Sequence, residues 1–446
     1  MEFLVKKVLI ANRGEIAVRI IRACQELEIK TVAIHSISDK DSLHAKLADE
    51  SVCIGPGPSA QSYLNIPNIM SAAEITGVDS IHPGYGFLAE SDEFASVCEA
   101  YNIKFIGPTP EQIRILGNKV KARELAIKVG VPLLPGSEGT IQDSHHALEI
   151  AKEIGFPCII KAAAGGGGRG MKIVHAVSKL VSQWQIAQQE AQACFGNPAC
   201  FIEKYLEHPR HVEVQLVADE HGNCTYLGER DCSIQRRHQK LVEESPCAVL
   251  NPELRSYVGE QAVKLAKAIN YQSLGTAEFL YEKGKFYFME MNTRVQVEHP
   301  VTEMVMAVDL IKEQIRIAQG HPLSFKGLLK ARGHALECRI NAEDPKSFAP
   351  WPGVVTAYHE PGGPGVRIDS MVYNGYRIPS LYDSMIAKVI TYGNDRMECI
   401  TKMKRALREM KVEGIRTNIP FHLKLLQDPN FIKNEISTSF LNNFSF

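Results

Sequence analysis

The sequence has no excess of charge of either sign. Fifty basic residues meet fifty-one acidic ones over 446 positions, for a net charge of −1. No global field therefore favours nucleic acid or an anionic membrane as a partner. Long apolar runs are missing as well; none approaches the ~18 residues of a membrane span. Residues 1–11 hold two lysines and a short apolar stretch, without the long apolar segment and cleavage site of a secretory signal. Eleven cysteines are scattered with no C-x-x-C pair, and the nearest two, Cys194 and Cys200, are six apart. That spacing argues against a zinc site or a disulfide framework and for reduced thiols in a cytoplasmic protein.

What is there suits a large α/β protein. The length predicts about three domains. Over residues 1–117, β-rich runs alternate with helical patterns: 8–11 and 31–35 are apolar runs, and 16–26 has helical spacing. Such alternation predicts a doubly wound parallel sheet, with ligands at the carboxyl ends of its strands. Both Asn12-Arg13-Gly14-Glu15 and His82-Pro83-Gly84-Tyr85-Gly86 fall at such ends. A helix is expected over 119–130, then a hinge at Pro132, Pro135 and Gly136. Residues 137–207 read as a small α/β module, followed by a larger α/β segment to about 330. From 331 to 446 several short strands and a helix near 396–410 are expected.

The segment Phe288-Met289-Glu290-Met291-Asn292-Thr293-Arg294-Val295-Gln296-Val297-Glu298 alternates with a period of two. It predicts one β-strand carrying Glu290, Asn292, Arg294, Gln296 and Glu298 on one face. That face is either a solvated sheet edge or a row able to hold a hard metal ion at one end and an anion with a base at the other. Glu278 lies in an apolar run just before it, and the Lys283-Gly284-Lys285 turn makes the two a hairpin candidate. Glu278 then faces Glu290. Two close carboxylates repel unless a cation separates them. With Asn292 they offer the oxygen ligands that Mg²⁺ prefers; the alternative is an exposed pair balanced by Lys or Arg.

Gly165-Gly166-Gly167-Gly168-Arg169-Gly170 lies between the expected strands 158–161 and 171–174. It is not a Walker A loop, since Met171 follows it, and it opens no long helix as a dinucleotide-binding loop does. A glycine flap between strands can let backbone N–H groups approach phosphate, or can simply be flexible. Lys161 and Lys119 stand near it as point charges. The densest basic stretch, Arg230 to Lys240, lacks interleaved aromatics, which favours a small anion over nucleic acid.

These motifs, together with Gln235-Arg236-Arg237-His238-Gln239-Lys240, Gln296-Val297-Glu298-His299-Pro300-Val301-Thr302-Glu303-Met304 and Glu337-Cys338-Arg339-Ile340-Asn341-Ala342-Glu343-Asp344, resemble the biotin carboxylase family. The match runs from Ala11 to about residue 420. Its nearest form is the stand-alone subunit of bacterial-type acetyl-CoA carboxylase. The resemblance implies an ATP-grasp fold: an N-terminal α/β domain (1–117), an ATP-grasp domain (118–330, lid about 137–207) and a C-terminal domain (331–446).

The resemblance also implies ATP-dependent carboxylation of biotin by bicarbonate. Lys119, Lys161, Gly167, Gly168, Glu203, Lys204, Tyr205, Leu206, His211, Gln235 and His238 match positions around ATP, as do Glu278 and Glu290. Glu278, Glu290 and Asn292 match ligands of Mg²⁺ or Mn²⁺. Lys240, Arg294, Gln296, Val297 and Glu298 match the bicarbonate pocket, and Arg339 the position facing biotin. Lys240, Arg294, Glu298 and Arg339 are the implied catalytic set, with Glu298 as base. The implied partners are a biotin carboxyl carrier protein, carboxyltransferase subunits and a second copy of the chain. No biotin-acceptor motif appears, so the carrier is expected to be a separate chain. A pyruvate or other acyl-CoA carboxylase is the alternative assembly. One departure stands out: Ala163-Ala164 precede Gly165, with Ala164 at a usual glycine position, which would stiffen the flap slightly.

Overall fold

The computed structural model describes residues 4–163 and 170–445. Its first layer is a five-stranded parallel sheet: β1 (Lys7–Ile10), β2 (Lys30–His35), β3 (Glu50–Cys53), β4 (Ser80–His82) and β5 (Lys104–Phe105), in the order β3-β2-β1-β4-β5. Leu9 and Ile10 are fully buried, as expected of a central parallel strand covered on both faces. The helix Gly14–Glu26 follows β1 and buries most of its length, so it packs between layers instead of facing water on one side. The expected doubly wound arrangement is present.

The helix Lys119–Val129 comes next. Its start is fixed by Asn118, whose side chain accepts from the amides of Val120 and Lys121, and its end by Gly130 at φ +72°. A small antiparallel sheet follows, with β6 (Cys158–Ala162) between β7 (Met171–Val174) and β8 (Cys200–Lys204). The glycine flap therefore connects two paired strands, though Ala164, Gly167 and Gly168 lie outside the described residues. Gly136 passes so close to β8 that a Cβ there would stand 2.4 Å from the Ile202 carbonyl oxygen.

The largest element is an eight-stranded antiparallel sheet. It contains β9 (Arg210–Ala218), β10 (Cys224–Arg236), β11 (Gln239–Ser245), β12 (Ser273–Glu282), β13 (Lys285–Asn292) and β14 (His334–Asn341). After β14 the short strands β15 (Gly353–Val354) and β16 (Ala357–His359) precede β17 (Val366–Ser370). Then come β18 (Arg377–Ile378) and β19 (Met385–Gly393). The order in the large sheet is β13-β12-β9-β10-β11-β14-β19-β17. Hydrogen bonding is thus continuous from β11 to β14, across residue 330. The helix Arg396–Glu409 covers the C-terminal end of this sheet near the expected position. Among the described residues no helix is long and apolar enough to cross a membrane.

One expectation fails. The alternating segment is not a single strand: β13 ends at Asn292, and the helix His299–Met306 begins after Glu298. The physical cause is visible. The Thr293 amide donates to the Glu90 carboxylate at 3.2 Å instead of to a neighbouring strand, and Pro300 in the first helical turn fixes the helix start. Arg294, Gln296 and Glu298 therefore come from a bend, not from a strand face.

Candidate active site

Three local structures converge on one cleft of about 1050 Å³. The first is the hairpin β12–β13, whose register sets Glu278 opposite Glu290 and Thr276 opposite Asn292, as expected from the sequence. The second is the hairpin β10–β11. Gln235 pairs with Lys240, and the two-residue turn Arg237-His238 has φ of +49° and +66°. That is the backbone of a tight, strand-matched turn, and it sets Gln235, His238 and Lys240 side by side on the cleft wall. The third is the bend 293–298 with the neighbouring strand β14, which supplies Arg339.

The inner end of the cleft is buried and rich in ion pairs. Lys240 Nζ lies 2.6 Å from Glu298 Oε1 and 3.0 Å from Glu278 Oε1, and also donates to Glu213. Burial would lower the lysine's pKa, but these three carboxylates raise it well above its ordinary value, so it stays an ammonium. Glu298 is fully buried. Its other oxygen accepts from Arg339 at 3.0 Å. Burial pushes this carboxyl up, yet Lys240, Arg339 and Arg230 outweigh it and hold it well below the usual carboxylate range. Arg339 is also held by Glu243 at 2.6 Å. Burial pushes the Glu243 carboxyl up to about 7 despite that partner. Gln296, almost fully buried, lines the same end, and its side-chain N–H₂ has no hydrogen-bond partner among the described residues. An unpaired buried donor in a cleft that Lys240 and Arg339 also line suits a small oxyanion.

The outer end is more open. Glu290 is 38% exposed at its side chain, and its Oε2 stands 3.8 Å from Lys119 Nζ. Burial of part of the carboxyl and the proximity of Glu278 both push its pKa up. Glu278 itself is held far below the usual range: Lys240 and His211 outweigh the effect of burial. Asn292 donates to Glu278 at 3.0 Å, while its side-chain oxygen accepts from Arg294 at 3.2 Å. Two facing carboxylates with the amide oxygen of Asn292 nearby make a donor set of hard oxygens; burial and, after it, repulsion from Glu278 raise the pKa of Glu290, and a divalent cation would relieve that repulsion. The residues fit Mg²⁺.

Lys161 Nζ sits 2.6 Å from Glu203, which is also paired with Arg123. Lys204, Tyr205, Leu206 and His211 complete the lining on this side. His211 Nε2 lies 3.1 Å from Glu278, whose charge, with that of Glu213, outweighs burial and raises the imidazole pKa. Apart from Gly167 and Gly168, every expected site residue lines the cleft or, like Glu298, bonds to a residue that does. Reading the sequence missed the residues behind them. Glu213 faces Glu278 across β9–β12 and ties Lys240 to Arg230. Glu90 holds Arg294 at 2.9 Å. For Glu213 a signal existed: His211, Glu213 and Gln215 alternate along a strand whose other face is Val212, Val214 and Leu216.

A pair of antiparallel strands joined by a glycine-rich segment, together with a second antiparallel sheet whose hairpin presents paired carboxylates to a basic cleft, defines an ATP-grasp ligase. The chain belongs to the biotin carboxylase family, and it is an ATP-dependent carboxylase. Residues 4–113 match the family model for the biotin carboxylase N-terminal domain, and residues 337–443 match that for the biotin carboxylase C-terminal domain. Between them, residues 118–326 match the model for the ATP binding domain of the carbamoyl-phosphate synthase L chain. Biotin carboxylase 1 of Bacillus subtilis is 57% identical over 445 residues, which are 99% of each chain. A crystal structure of a biotin carboxylase–β-γ-ATP complex from Campylobacter jejuni superposes with a TM-score of 0.97 at 48% identity, covering 99% of both chains. The biotin carboxylase domain dimer of Hydrogenobacter thermophilus 2-oxoglutarate carboxylase, in complex with MgADP, ADP and bicarbonate, gives 0.95 at 47%, covering 98% of this chain and 97% of that one.

Proposed function

We propose that this chain is the biotin carboxylase subunit of an acetyl-CoA carboxylase, acting in the cytoplasm as a homodimer on biotin borne by a separate carrier protein. Three units would serve it: 1–117, 118–330 with a lid at 137–207, and 331–446. The observation that carries the site assignment is Glu298, held between Lys240 and Arg339 beside the unpaired amide of Gln296.

In this reading Lys119, Lys161, Glu203, Lys204, Tyr205, Leu206, His211, Gln235 and His238, with the flap glycines Gly167 and Gly168, hold ATP. Glu278, Glu290 and Asn292 would hold Mg²⁺ or Mn²⁺, which supplies neutralisation of phosphate charge when bound. Lys240, Arg294, Gln296 and Val297 seat bicarbonate next to Glu298. Glu298 is ionised at neutral pH and so can accept the bicarbonate proton. Entry of the anion between Glu298 and its two cations would weaken their pairing and restore its basicity. The bicarbonate oxygen attacks the γ-phosphorus and ADP leaves, giving carboxyphosphate, a step made mostly of positioning and charge neutralisation. Carboxyphosphate splits to CO₂ and phosphate. The phosphate takes the N1 proton of biotin, and N1 then bonds to CO₂. Arg339 stabilises the oxyanion developing on the ureido oxygen, and Arg294 holds the anionic intermediate. Lid closure would keep water from carboxyphosphate.

Phosphate release from Mg-ATP tests this. A rise that requires both bicarbonate and free biotin is expected, and cleavage indifferent to biotin would refute it. The final acceptor is tested by reconstitution with carboxyltransferase subunits. The likeness to a 2-oxoglutarate carboxylase domain supports a second reading, in which a 2-oxo acid is carboxylated instead of acetyl-CoA.

A further inference from the structure

We infer that Lys388 is a positioning residue for the anion pocket, acting through the backbone of the 296–298 bend. The inference rests on the reading of that bend as the bicarbonate site.

Lys388 lies on β19 and is one of the largest side chains to be wholly buried. A lysine is almost never buried without a reason, since desolvating its charge costs several kcal/mol unless partners replace water. Its partners come from three separate parts of the chain. The ammonium donates to the carbonyl oxygen of Val297 at 2.9 Å. It lies 3.2 Å from Glu15, at the start of the helix that follows β1, and 3.8 Å from Asp369 on β17.

The sheet register explains the placement. Lys388 pairs directly with Arg339 on one side and with Asp369 on the other, so all three side chains leave the same face. Arg339 reaches Glu298 by its side chain, while Lys388 reaches the preceding carbonyl. Two adjacent cations of one sheet thus grip the same bend at consecutive residues. The carboxylate of Glu298 is fixed by its ion pairs and its backbone by Lys388. A bend with no strand partner gains its rigidity here from a side chain of another part of the chain. Catalytic groups need such placement, because displacements near 1 Å can cost on the order of a hundredfold in rate.

The test is Lys388→Met, which keeps length and apolar volume, read against the wild-type enzyme with free biotin. Expected are ATP binding within about threefold of wild type, measured by calorimetry, and a fall of more than about tenfold in kcat/KM for bicarbonate. The double variant Lys388→Met/Glu15→Gln deletes the ion pair as a unit and should show the same selective loss if the single variant folds poorly. Equal losses for ATP and bicarbonate, full activity of either variant, or failure of both to fold would overturn the inference and leave the lysine a stability residue. A wild-type protein without bicarbonate- and biotin-dependent cleavage would instead overturn the underlying reading of the site.

Discussion

The two ends of the cleft are built from the same residue types and behave as opposites. At the inner end Lys240, Glu298 and Arg339 meet at 2.6 and 3.0 Å, with Glu298 wholly buried. At the outer end Lys119 and Glu290 stand 3.8 Å apart and are 28% and 38% exposed. Coulomb attraction at the inner end is barely screened, so each charge sets its neighbour's protonation state. At the outer end solvent screens the pair, and it contributes little. The difference teaches which half is pre-organised. The inner end holds its geometry with protein charges alone. The outer end leaves a carboxylate raised by burial and by repulsion from Glu278, an arrangement that the proposed cation and polyphosphate would complete.

Breaking the outer end should give the largest effect. Glu290→Lys places an ammonium where the proposed metal ligands converge. Mg²⁺-dependent turnover should fall by at least about a thousandfold, since metal-borne charge neutralisation is worth several kcal/mol. Retained response in a Mg²⁺ titration would remove Glu290 from the metal set. Glu298→Gln attacks the inner end. Removing a general base costs roughly 10² to 10⁴ in rate. kcat should drop at least about a hundredfold while ATP still binds. Full activity would exclude it as the base.

Glu298 and Lys240 should also keep their charges where the rest of the molecule loses stability. His44, His82 and His422 are fully buried, and burial holds their imidazoles down to about 4, 3 and 4. The His82 ring accepts from the Gly84 amide, and His422 bonds the Arg339 carbonyl at 2.8 Å. Unfolded, each would titrate near 6.5. Between that value and the folded one the unfolded chain binds more protons, so stability is complete above about pH 6.5 and is lost as pH falls toward 4. Each should cost roughly 2 kcal/mol between pH 6.5 and 4.5, about thirtyfold in the folding constant. Urea titrations of wild type and His44→Gln check this. A variant with the same pH slope as wild type would contradict it.

Much of this site was legible because short-range patterns carried it. The Lys283-Gly284-Lys285 turn fixes a hairpin, and the hairpin fixes Glu278 against Glu290. The alternation through Glu298 misled for a physical reason: polar residues at every second position persist past Asn292, but the amide of Thr293 takes its partner from Glu90, two hundred residues away. Glu243 and Lys388 were not legible as site supports, and Glu213 only as one polar position of an alternating strand. In sequence each looks like the outward face of a strand, and only an eight-stranded sheet covered on that face turns them into buried charges. Long-range burial has no local signature.

In the proposed mechanism Arg339 serves both chemistry and support, so its loss should split the half-reactions. In Arg339→Ser the biotin-dependent step should fall about tenfold more than bicarbonate-dependent ATP cleavage, because the ureido oxygen loses its only assigned cation. ATP cleavage should also decline, since Glu298 keeps Lys240 but loses one of its two ion pairs. Equal losses in both assays would make Arg339 a support for Glu298 alone.

The smallest effect should come from Glu90, which holds Arg294 and the start of the bend. Its carboxylate is 39% exposed and binds both the Arg294 guanidinium, at 2.9 Å, and the Thr293 amide. Arg294 has two further acceptors, the Val295 carbonyl and Asn292. Removal of one exposed partner therefore loosens the guanidinium without freeing it. Glu90→Gln keeps an acceptor for the amide and gives up only the charge. A charge-assisted bond at such a site is worth about 1 kcal/mol, so KM for bicarbonate should rise three- to fivefold with kcat nearly unchanged. A loss as large as that of Glu298→Gln would move Glu90 into the buried inner end and erase the distinction between the two regions. No change at all would mean that Asn292 and the bend hold Arg294 unaided.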